Sequence, residues 1–290
     1  MGHDSPRVSV GMPVYNGERH IGETLESLLH QTYQDFELII SDNASTDGTQ
    51  RICEKYMAMD SRIQYHRNVE NIGAQANYNA VFQRARGAYF KWASSNDLCD
   101  PRFLEACVQQ LGERPDAVLA YPRTRLLFGD GGPTEDYQER VHVNQVRPCE
   151  RFRDFVENHD LNNIINGVIR SGALRRTSLM RMYRGADIVL TAELALHGKF
   201  VQVPEVLFFR RIDPSSKTSL RTREEIIRHY DPRLKRMVFQ RWKFHMGCLS
   251  AVTRTPLTMR EKTCLLRFLL RHFLKERGRL AQDLRDAARA

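Results

Sequence analysis

The sequence lacks the cysteine spacings and the long apolar runs that define several classes of protein. Its six cysteines, at positions 53, 99, 107, 149, 248 and 264, form no C-x-x-C pair and no zinc-binding spacing. The apolar runs at 206–209 and 265–270 are far shorter than the roughly 18 residues that span a bilayer. No secretory signal is apparent. We therefore expect reduced thiols and a cytoplasmic protein, either soluble or peripheral on the inner face of a membrane.

Two nucleotide-binding motifs are also absent. No G-x-G-x-x-G follows the first strand-like segment, and no G-x-x-x-x-G-K-[ST] occurs anywhere in the chain. Each motif uses glycines to bring the backbone close to a phosphate group. Their absence disfavours a dinucleotide dehydrogenase and a P-loop NTPase.

What the chain does have is size and positive charge. It contains 290 residues, of which 41% are hydrophobic, enough to bury one large domain or one domain with an appendage. Its formal net charge is +9. That charge favours anionic partners, such as nucleotides, nucleic acid or an acidic membrane face, and does not choose among them.

Strand-like and helix-like segments alternate through the first 120 residues. Strands are predicted at 7–14, 36–40, 62–66, 88–92 and 117–121, with helical spacing of apolar residues between them. This alternation predicts an α/β fold, with a mainly parallel sheet and helices on both of its faces. From about residue 222 the chain becomes helical and rich in arginine.

Polar turns follow three of the predicted strands. They are Pro13–Asn16, the pair Asp42-Asn43, and Ser94–Asp97. In a parallel sheet, ligands bind beyond the carboxyl ends of the strands, at the point where the strand order reverses. We therefore expect these three turns to meet at one edge of the sheet and to form a ligand site there.

Three motifs carry a family resemblance. VSVGMPVYN, FELIISDNASTDGT and GAYFKWASSND, in that order, resemble the inverting GT-A glycosyltransferases of the family-2 type, over roughly residues 7–215. The resemblance implies a GT-A catalytic domain at 1–220, with a nucleotide-binding half at about 1–125 and an acceptor half at about 126–220. Residues 221–290 would form a basic helical extension. It also implies transfer of a sugar, with inversion, from a nucleotide diphosphate to an acceptor hydroxyl in bacterial polysaccharide, glycolipid or other glycoconjugate synthesis.

The resemblance assigns a set of residues to the nucleotide. Pro13, Val14, Tyr15 and Asn16 would line the base and ribose, and Asp42 would accept a hydrogen bond from either. Asp42 and Asn43 alone would also suit an Asx turn. The family's N-x-G motif and the asparagine of the next helix correspond to Asn71-Ile72-Gly73 and Asn79. Tyr78 stands where many members have arginine.

In this chain the family's acidic tetrad is replaced by Ser94-Ser95-Asn96-Asp97, which has a single carboxylate. The resemblance makes Asp97 the ligand of a divalent cation, Mg²⁺ or Mn²⁺, which diphosphate oxygens and waters would complete. Asn96 would meet a sugar hydroxyl or a metal-bound water. Asp100, directly before Pro101, is better interpreted as a helix N-cap.

The second half of the resemblance places a catalytic base at Asp187, ahead of an amphipathic helix. A first-turn acid that complements the helix dipole is the alternative. Glu193 is expected to face solvent or a basic neighbour. In the following loop Arg210, Arg211 and Lys217 would neutralise the diphosphate, unless they form an ordinary solvated loop. Asp213 replaces the usual histidine, and we hypothesise that it supplies a second metal carboxylate.

The C-terminal stripe is open to more than one interpretation. Leu265, Leu266, Leu269, Leu270, Phe273 and Leu274 run beside Arg267, Arg271 and Lys275. The pattern fits a helix on an anionic membrane surface, and it also fits packing on the catalytic domain or on a second subunit of a homo-oligomer. Membrane contact would suit a lipid-linked rather than a soluble glycan acceptor.

Three other functions compete with a glycosyltransferase. A sugar nucleotidyltransferase would share the sheet, but YNGERH is a poor substitute for its glycine- and arginine-rich loop. A basic nucleic-acid-binding protein would not explain three polar turns, and the sequence carries no RNA- or DNA-binding signature, so no nucleic-acid partner is expected. A catalytically silent relative that still binds nucleotide remains open, because the tetrad and the histidine loop both differ.

Overall fold

The computed structural model of the chain describes residues 5–212 and 222–289. For Arg223, Glu224, Arg228 and Arg289 it describes the backbone alone.

Within these residues one mixed sheet forms the centre of the molecule. Its strands are β1 (Val8–Val14), β2 (Phe36–Asp42), β3 (Ile63–Arg67), β4 (Tyr89–Trp92), β5 (Leu98–Cys99), β6 (Ala117–Phe128), β7 (Thr134–Asp136), β8 (Val168–Arg170) and β9 (Lys199–Ile212). The order across the sheet is β3-β2-β1-β4-β8-β6-β9-β5, with β7 beside β6. The pairs β1–β2, β2–β3, β1–β4 and β6–β9 are parallel. The predicted, mainly parallel α/β architecture is therefore confirmed.

The strand order reverses at β1. From β1 the chain moves outward to β2 and β3, then returns to place β4 on the other side of β1. Val14 at the end of β1 pairs with Asp42, and Gly11 pairs with Trp92 at the end of β4. The turns after these strands therefore lie at one edge of the sheet, at its switch point, where open α/β sheets bind ligands.

Helices cover both faces of the sheet. They are α1 (Ile21–Leu29), α2 (Thr49–Met59), α3 (Ala74–Arg84), α4 (Phe103–Glu113), α5 (Pro148–Asn158), α6 (Ser171–Leu174), α7 (Ala186–His197), α8 (Arg223–Tyr230), α9 (Gln240–Arg254), α10 (Met259–Lys275) and α11 (Arg277–Arg289). A short 3₁₀ turn spans Asn163–Asn166.

Alternating side chains of the central strands feed two separate cores. Val8, Val10 and Met12 of β1 pack in one core cluster with Leu25 of α1 and Phe103 of α4. Phe90 and Trp92 of β4 belong to the other cluster, together with side chains of α3, α5 and α7. The rings of Phe90 and Trp92 meet edge to face, with centroids 4.9 Å apart, which is an arrangement that aromatic pairs prefer. Both faces of the central strands are buried, as expected of a parallel sheet.

The C-terminal helices share the second core. Cys248 of α9 and Leu265, Phe268 and Leu269 of α10 are buried in the same cluster as Phe152 of α5. The predicted boundary at residue 220 falls in the segment 213–221, outside the described residues, and stays a prediction. Among the helices that the structure describes, none is long and apolar enough to cross a membrane.

Two polar residues differ in detail from their predicted positions. Helix α4 begins at Phe103 after Arg102 as N-cap, so Asp100 instead caps the preceding turn, where it accepts the Arg102 N–H at 3.0 Å. Glu193 has the basic neighbour that was one of its two expected surroundings, but it is fully buried rather than at the surface. Its carboxylate accepts hydrogen bonds from the Ser178 N–H at 2.9 Å and from Arg254 of α9. A buried charge needs such partners, and this one ties α7 to the C-terminal helices.

Candidate active site

A cleft of about 720 Å³ opens at the carboxyl edge of β1 and β4. It is within the usual size range of small-molecule sites, roughly 300–1,000 Å³. Its lining comes from the turns after β1, β2 and β4, from the end of β9, and from the first turn of α7 and the end of α8. Of the predicted site residues, the lining includes Pro13, Val14, Tyr15, Asn16, Asn43, Asn71, Asn96, Asp97, Asp187, Arg210 and Arg211.

The turn after β1 is held by the loop after β2. Asn16 has a left-handed backbone with φ 51°, its N–H donates to Ser45 Oγ at 2.9 Å, and its Oδ1 accepts the Thr46 N–H at 2.8 Å. The Gly17 N–H donates to Thr49 Oγ1 at 2.8 Å. Because its backbone groups are satisfied, the turn presents the half-exposed ring of Tyr15 to the cleft in a fixed place.

Asn43 joins the turn after β2 to the turn after β3. Its Nδ2 donates to Asn71 Oδ1 at 2.8 Å, and its Oδ1 accepts the Ile72 N–H at 2.9 Å and Asn68 Nδ2 at 3.1 Å. Asn71 Oδ1 also accepts the Gly73 N–H at 2.9 Å. Asn43 and Asn71 therefore form one rigid part of the cleft wall.

Asp42 lies one layer behind that wall. It is fully buried and does not line the cleft. Its Oδ1 accepts the Ser45 N–H at 2.8 Å, as an Asx turn requires, and its Oδ2 accepts the Tyr65 hydroxyl at 2.6 Å. Burial, followed by this hydrogen bond, raises the pKa of Tyr65. In this arrangement Asp42 shapes the turn, and a direct contact with a nucleotide stays a prediction.

Asn79 is not brought into the cleft. Its amide pairs with the backbone of Met180, accepting the Met180 N–H at 3.0 Å and donating to the Met180 carbonyl at 2.9 Å. The asparagine of α3 that does line the cleft is Asn77, whose Nδ2 donates to the Ser41 carbonyl at 2.8 Å. A two-residue shift turns a side chain by about 200° around a helix, and this separates the two positions.

Asp97 is the carboxylate of the tetrad, and it is only 7% exposed. Its Oδ1 accepts the backbone N–H of Arg211 at 2.9 Å. Burial raises the pKa of the Asp97 carboxyl, and the Arg211 N–H and the charges of Arg210 and Lys91 offset that rise only in part. A desolvated carboxylate of this kind gains more than an exposed one from a cation placed beside it.

Two arginines close the same end of the cleft. The Arg211 guanidinium donates to the Asn96 carbonyl at 3.2 Å and to Glu23 of α1. Arg210 Nη1 donates to the Leu161 carbonyl at 2.8 Å and to Asn163 Oδ1. The other two predicted residues of this loop, Asp213 and Lys217, lie outside the described residues.

A buried lysine behind the tetrad gave no signal in the sequence. Lys91 of β4 is 1% exposed, and its Nζ donates to the carbonyls of Trp92 and Asn166, both at 3.0 Å. The ammonium also lies 4.5 Å from the centroid of the Phe103 ring. It adds a fixed positive charge near Asp97, so the floor of the cleft is less acidic than the tetrad alone implies. Inside the strand pattern YFKW the residue had no feature to mark it as buried.

Asp187 lines the cleft from the first turn of α7. The helix follows Gly185, whose φ of 82° suits glycine, so the chain turns sharply before the carboxylate. Asp187 Oδ2 accepts a hydrogen bond from Asn162 Nδ2 at 3.1 Å. Its Oδ1 accepts none from residues 5–212 or 222–289, and Asp187 lines the cleft. One carboxylate oxygen is thus held while the other is available to a ligand.

Asn162 was missed by the sequence reasoning. It is 4% exposed and left-handed, with φ 50°, and its Oδ1 is buried without a hydrogen-bond partner in the described chain. The doubled asparagine in LNNIIN was the only signal available. Asn residues adopt this backbone conformation more readily than most, which explains why one is found here.

Helix α8 forms the remaining wall, and its place in the cleft was not predicted, although helical structure was expected from about residue 222. Glu225, His229 and Tyr230 line the cleft, and burial, followed by the charge of Asp187, raises the pKa of the Tyr230 hydroxyl. The helix end rests on Gly73, where φ is +85° and an added Cβ would lie 2.2 Å from the Tyr230 carbonyl oxygen. The capping box Thr222–Glu225 was the readable signal for the start of this helix.

The described residues contain no cluster of three or more His, Cys, Asp or Glu side chains arranged to hold a metal. Asp97 is the carboxylate that the tetrad offers. Mg²⁺ is commonly held by one or two carboxylates together with substrate phosphates, so the site fits a cation that arrives with a diphosphate.

Comparisons with known proteins agree with this geometry. The sequence model of the family described as glycosyl transferase family 2 matches residues 9–182, more than half of the chain. EpsE of Bacillus subtilis (strain 168), named as a glycosyltransferase, is 43% identical over 104 residues, 36% of this chain and 37% of EpsE. TuaG of the same organism, named for teichuronic acid biosynthesis, is 35% identical over 132 residues, 46% of this chain and 52% of TuaG. The chain thus spans about two fifths to half the length of these relatives.

Solved structures show the same fold. TarS of S. aureus in complex with UDP-GlcNAc superposes with a TM-score of 0.68 at 18% identity, covering 97% of this chain and 80% of that chain. The mannosyltransferase PcManGT of Pyrobaculum calidifontis, in complex with GDP-Man and Mn²⁺, gives 0.55 at 16% identity, covering 97% and 85%. The chain belongs to glycosyl transferase family 2 and has the GT-A fold.

Proposed function

We propose that this member of glycosyl transferase family 2 moves a sugar from a nucleotide diphosphate to an acceptor hydroxyl, with inversion, in bacterial polysaccharide or glycoconjugate synthesis. The observation that carries the proposal is the shared cleft. The turns expected to hold the donor and the carboxylate expected to activate the acceptor line one cavity, although Asn16 and Asp187 lie far apart in sequence. The names of TuaG and of the TarS complex support the same class of reaction.

The donor would occupy the end of the cleft formed by the turns after β1 and β2. The exposed ring of Tyr15 offers a face on which a nucleobase can stack, and Pro13 and Val14 provide apolar wall beside it. Asn43 and Asn71, already fixed by each other, can give the remaining amide hydrogens to the base or ribose. Preorganised groups of this kind cost little further entropy when a ligand binds.

The diphosphate would lie between the tetrad and the end of β9. Arg210 and Arg211 supply guanidinium groups that can pair with phosphate oxygens, and Lys91 adds positive charge from below. Asp97, with Asn96 beside it, would hold Mg²⁺ or Mn²⁺, which would supply further neutralisation of the departing diphosphate. Lys217 and Asp213 keep their predicted roles as part of this proposal.

The acceptor would enter beside Asp187. Its hydroxyl oxygen attacks the anomeric carbon on the face opposite the diphosphate. The oxygen–carbon bond forms as the bond from that carbon to the diphosphate oxygen breaks. The free Oδ1 of Asp187 takes the hydroxyl proton, while Asn162 holds Oδ2 and so fixes the direction of the carboxylate. We place the reaction in the cytoplasm, with a glycan or lipid-linked acceptor.

Nucleotide binding tests the donor half of this proposal. Thermal unfolding would be followed with UDP, GDP and dTDP, each with and without Mn²⁺. At a ligand concentration about 100 times Kd, stabilisation of roughly 3 kcal/mol should raise Tm by several degrees for the preferred base. Asp97→Asn should remove the Mn²⁺-dependent part of the shift. Asp116→Asn, at the amino end of β6 on the opposite edge of the sheet, should not. No response to any diphosphate, together with tight binding of an oligonucleotide, would reverse the assignment.

A further inference from the structure

The outer face of α10 carries exposed leucines and exposed cations side by side. We define it as Met259, Arg260, Leu266, Arg267, Leu270, Arg271, Leu274 and Lys275. Leu266, Leu270 and Leu274 are 44%, 60% and 50% exposed, respectively. With 3.6 residues per turn, these leucines form one row along the helix, and Arg267, Arg271 and Lys275 form a second row about 100° further round. The structure thus leaves half of the predicted apolar stripe in solvent.

Packing of the helix does not require this leucine row. The inner face of α10 supplies Leu265, Phe268 and Leu269, which are buried against α5 and α9. Scattered exposed leucines are ordinary on protein surfaces, but a continuous row beside a row of cations is not. The arrangement is that of a helix lying in a membrane interface, with its apolar side toward the acyl chains and its cations at the headgroups.

The cations continue into a neighbouring groove. A cavity of about 980 Å³ between α5 and α10 is lined by Arg147, Arg153, Arg260, Arg267, Arg271 and Lys275, with Glu157 as its one acid. Among residues 5–212 and 222–289, no carboxylate lies within ion-pair distance of Arg260, Arg267, Arg271 or Lys275. Within α10 itself Glu261 is the only acid, and it is paired with Arg147. Four cations of this surface therefore lack an ion-pair partner within the described part of the chain.

We propose that the outer face of α10 and this groove dock the protein on an anionic lipid bilayer. A second copy that docked through the same face would bring the same cations, with Glu157 as the one carboxylate of the groove, so like charges would oppose that contact. A nucleic acid would satisfy the cations and leave the leucine row in water. An anionic bilayer satisfies both rows. Docking on a bilayer does not itself depend on the proposed function. Its role in the reaction does rest on that function, because docking would bring the cleft to lipid-linked acceptors.

Vesicle binding tests the proposal without donor or acceptor, so its failure leaves the nucleotide-sugar assignment untouched. The full chain would be sedimented with phosphatidylcholine vesicles containing about 30% phosphatidylglycerol, and with pure phosphatidylcholine. Binding to the anionic vesicles should be strong at low ionic strength. It should fall at about 0.5 M KCl, because the Debye length there is only a few ångströms. The pure phosphatidylcholine vesicles should retain little protein.

Two variants separate the two rows. Arg267→Gln, Arg271→Gln and Lys275→Gln together should weaken lipid binding at least tenfold, since each cation near an anionic surface adds to the attraction. Leu266→Ser, Leu270→Ser and Leu274→Ser together should weaken it similarly. The matched control changes Met59, Arg51 and Lys55 of α2, on the opposite face of the sheet, to Ser, Gln and Gln. It should bind as the parent does.

Specific outcomes would overturn the proposal. They are equal binding by the α10 variants and the α2 control, binding to neutral vesicles that salt does not affect, and a lipid-free dimer that the leucine variant abolishes. Preferential binding of a single-stranded RNA would do the same. If the leucine variant does not fold, the glutamine variant carries the test, because it leaves every apolar contact in place.

Discussion

The two ends of the cleft are built in different ways. The donor end comes from four short turns, after the neighbouring parallel strands β1 to β4. They all lie within residues 13–97 and are joined by hydrogen bonds such as Asn43–Asn71 and Asn16–Ser45. The acceptor end joins Asn162, the first turn of α7 and the end of α8, from three distant parts of the chain. Sheet topology alone creates the first end, whereas the second depends on long-range packing.

This difference can be related to the proposed recognition of a donor and an acceptor. A donor common to many enzymes can be held by a feature that every such sheet provides, because the carboxyl ends of parallel strands always meet. An acceptor must be recognised by surfaces that vary from enzyme to enzyme, and loops and added helices supply that variation. Helix α8, which belongs to the predicted C-terminal extension, places Tyr230 in the cleft beside Asp187.

Asp187→Asn should have the largest effect, because it should remove nearly all sugar transfer without abolishing nucleotide binding. Loss of a positioned general base costs a factor of about 10²–10⁴, so transfer should fall about a thousandfold. The nucleotide-induced rise in Tm should change little, because the proposal assigns Asp187 to the acceptor hydroxyl and not to the nucleotide. Product formation would be followed with a donor selected from a panel of nucleotide sugars. Asp116→Asn is the control, and retained transfer in Asp187→Asn would exclude this residue as the base.

A matched pair of asparagines tests the donor end. Asn43→Ala removes three hydrogen bonds and leaves the Ile72 N–H, which is partly buried, without its acceptor, at a cost of about 1 kcal/mol. We expect nucleotide Kd to rise about tenfold and Tm to fall by several degrees. Asn79→Ala should leave nucleotide Kd within about threefold, because the described hydrogen bonds of the Asn79 amide are to the Met180 backbone. Equal losses of nucleotide affinity would mean that the cleft wall is not divided as described.

Asn162→Gly tests whether Asn162 positions the Asp187 carboxylate at the acceptor end of the cleft. Glycine tolerates the φ of 50° but removes the amide that holds Asp187 Oδ2. We expect kcat to fall about tenfold with an unchanged donor KM, because a carboxylate free to rotate spends less time in the productive direction. Steady-state kinetics with varied donor would show the split. A rise in donor KM without a change in kcat would mean that Asn162 acts on the donor instead.

The smallest effect concerns the stability of the helix that carries Asp187. Burial, followed by the charges of Arg176 and Arg254, lowers the pKa of His197 at the end of α7 to about 4 from its ordinary value of 6.5. Between those values the unfolded chain takes up a proton that the folded chain does not, so stability falls as pH decreases from 6.5 toward 4. The loss should be roughly 1–2 kcal/mol by pH 5, allowing for screening by solvent at the partly exposed ring.

Urea unfolding of the wild type and of His197→Phe at pH 7 and pH 5 would measure this effect. The phenylalanine variant cannot take up the proton, so its stability should fall less over the same interval. Parallel pH dependence in the two proteins would assign the acid sensitivity to other groups.

Much of the fold was predictable from the sequence. The five predicted strands are all present, because a continuous apolar strand such as VSVGMPV between turn residues has few other ways to bury itself. The donor turns were predictable for the same reason, since their positions follow from the ends of β1, β2 and β4.

The sequence contains no comparable signal for the remaining parts of the site. Whether Asp42 faces the cleft or the Ser45 N–H depends on one rotamer, and Asn77 and Asn79 differ only by their angle around α3. Asn162 and Tyr230 gain their places through contacts more than 20 residues away along the chain. No local pattern encodes such contacts, because they arise only when the second core is complete.

At Gly73, the contact of backbone against backbone has a consequence for communication within the protein. The turn that is bonded to Asn43 and the helix end that carries Tyr230 touch there without an intervening side chain. Side chains can rotate to absorb a small displacement, but a peptide group pressed on a glycine cannot. Under the proposed function, a displacement that a nucleotide imposes on this turn would therefore be passed to the end of α8 that carries Tyr230, and so to the acceptor side of the cleft.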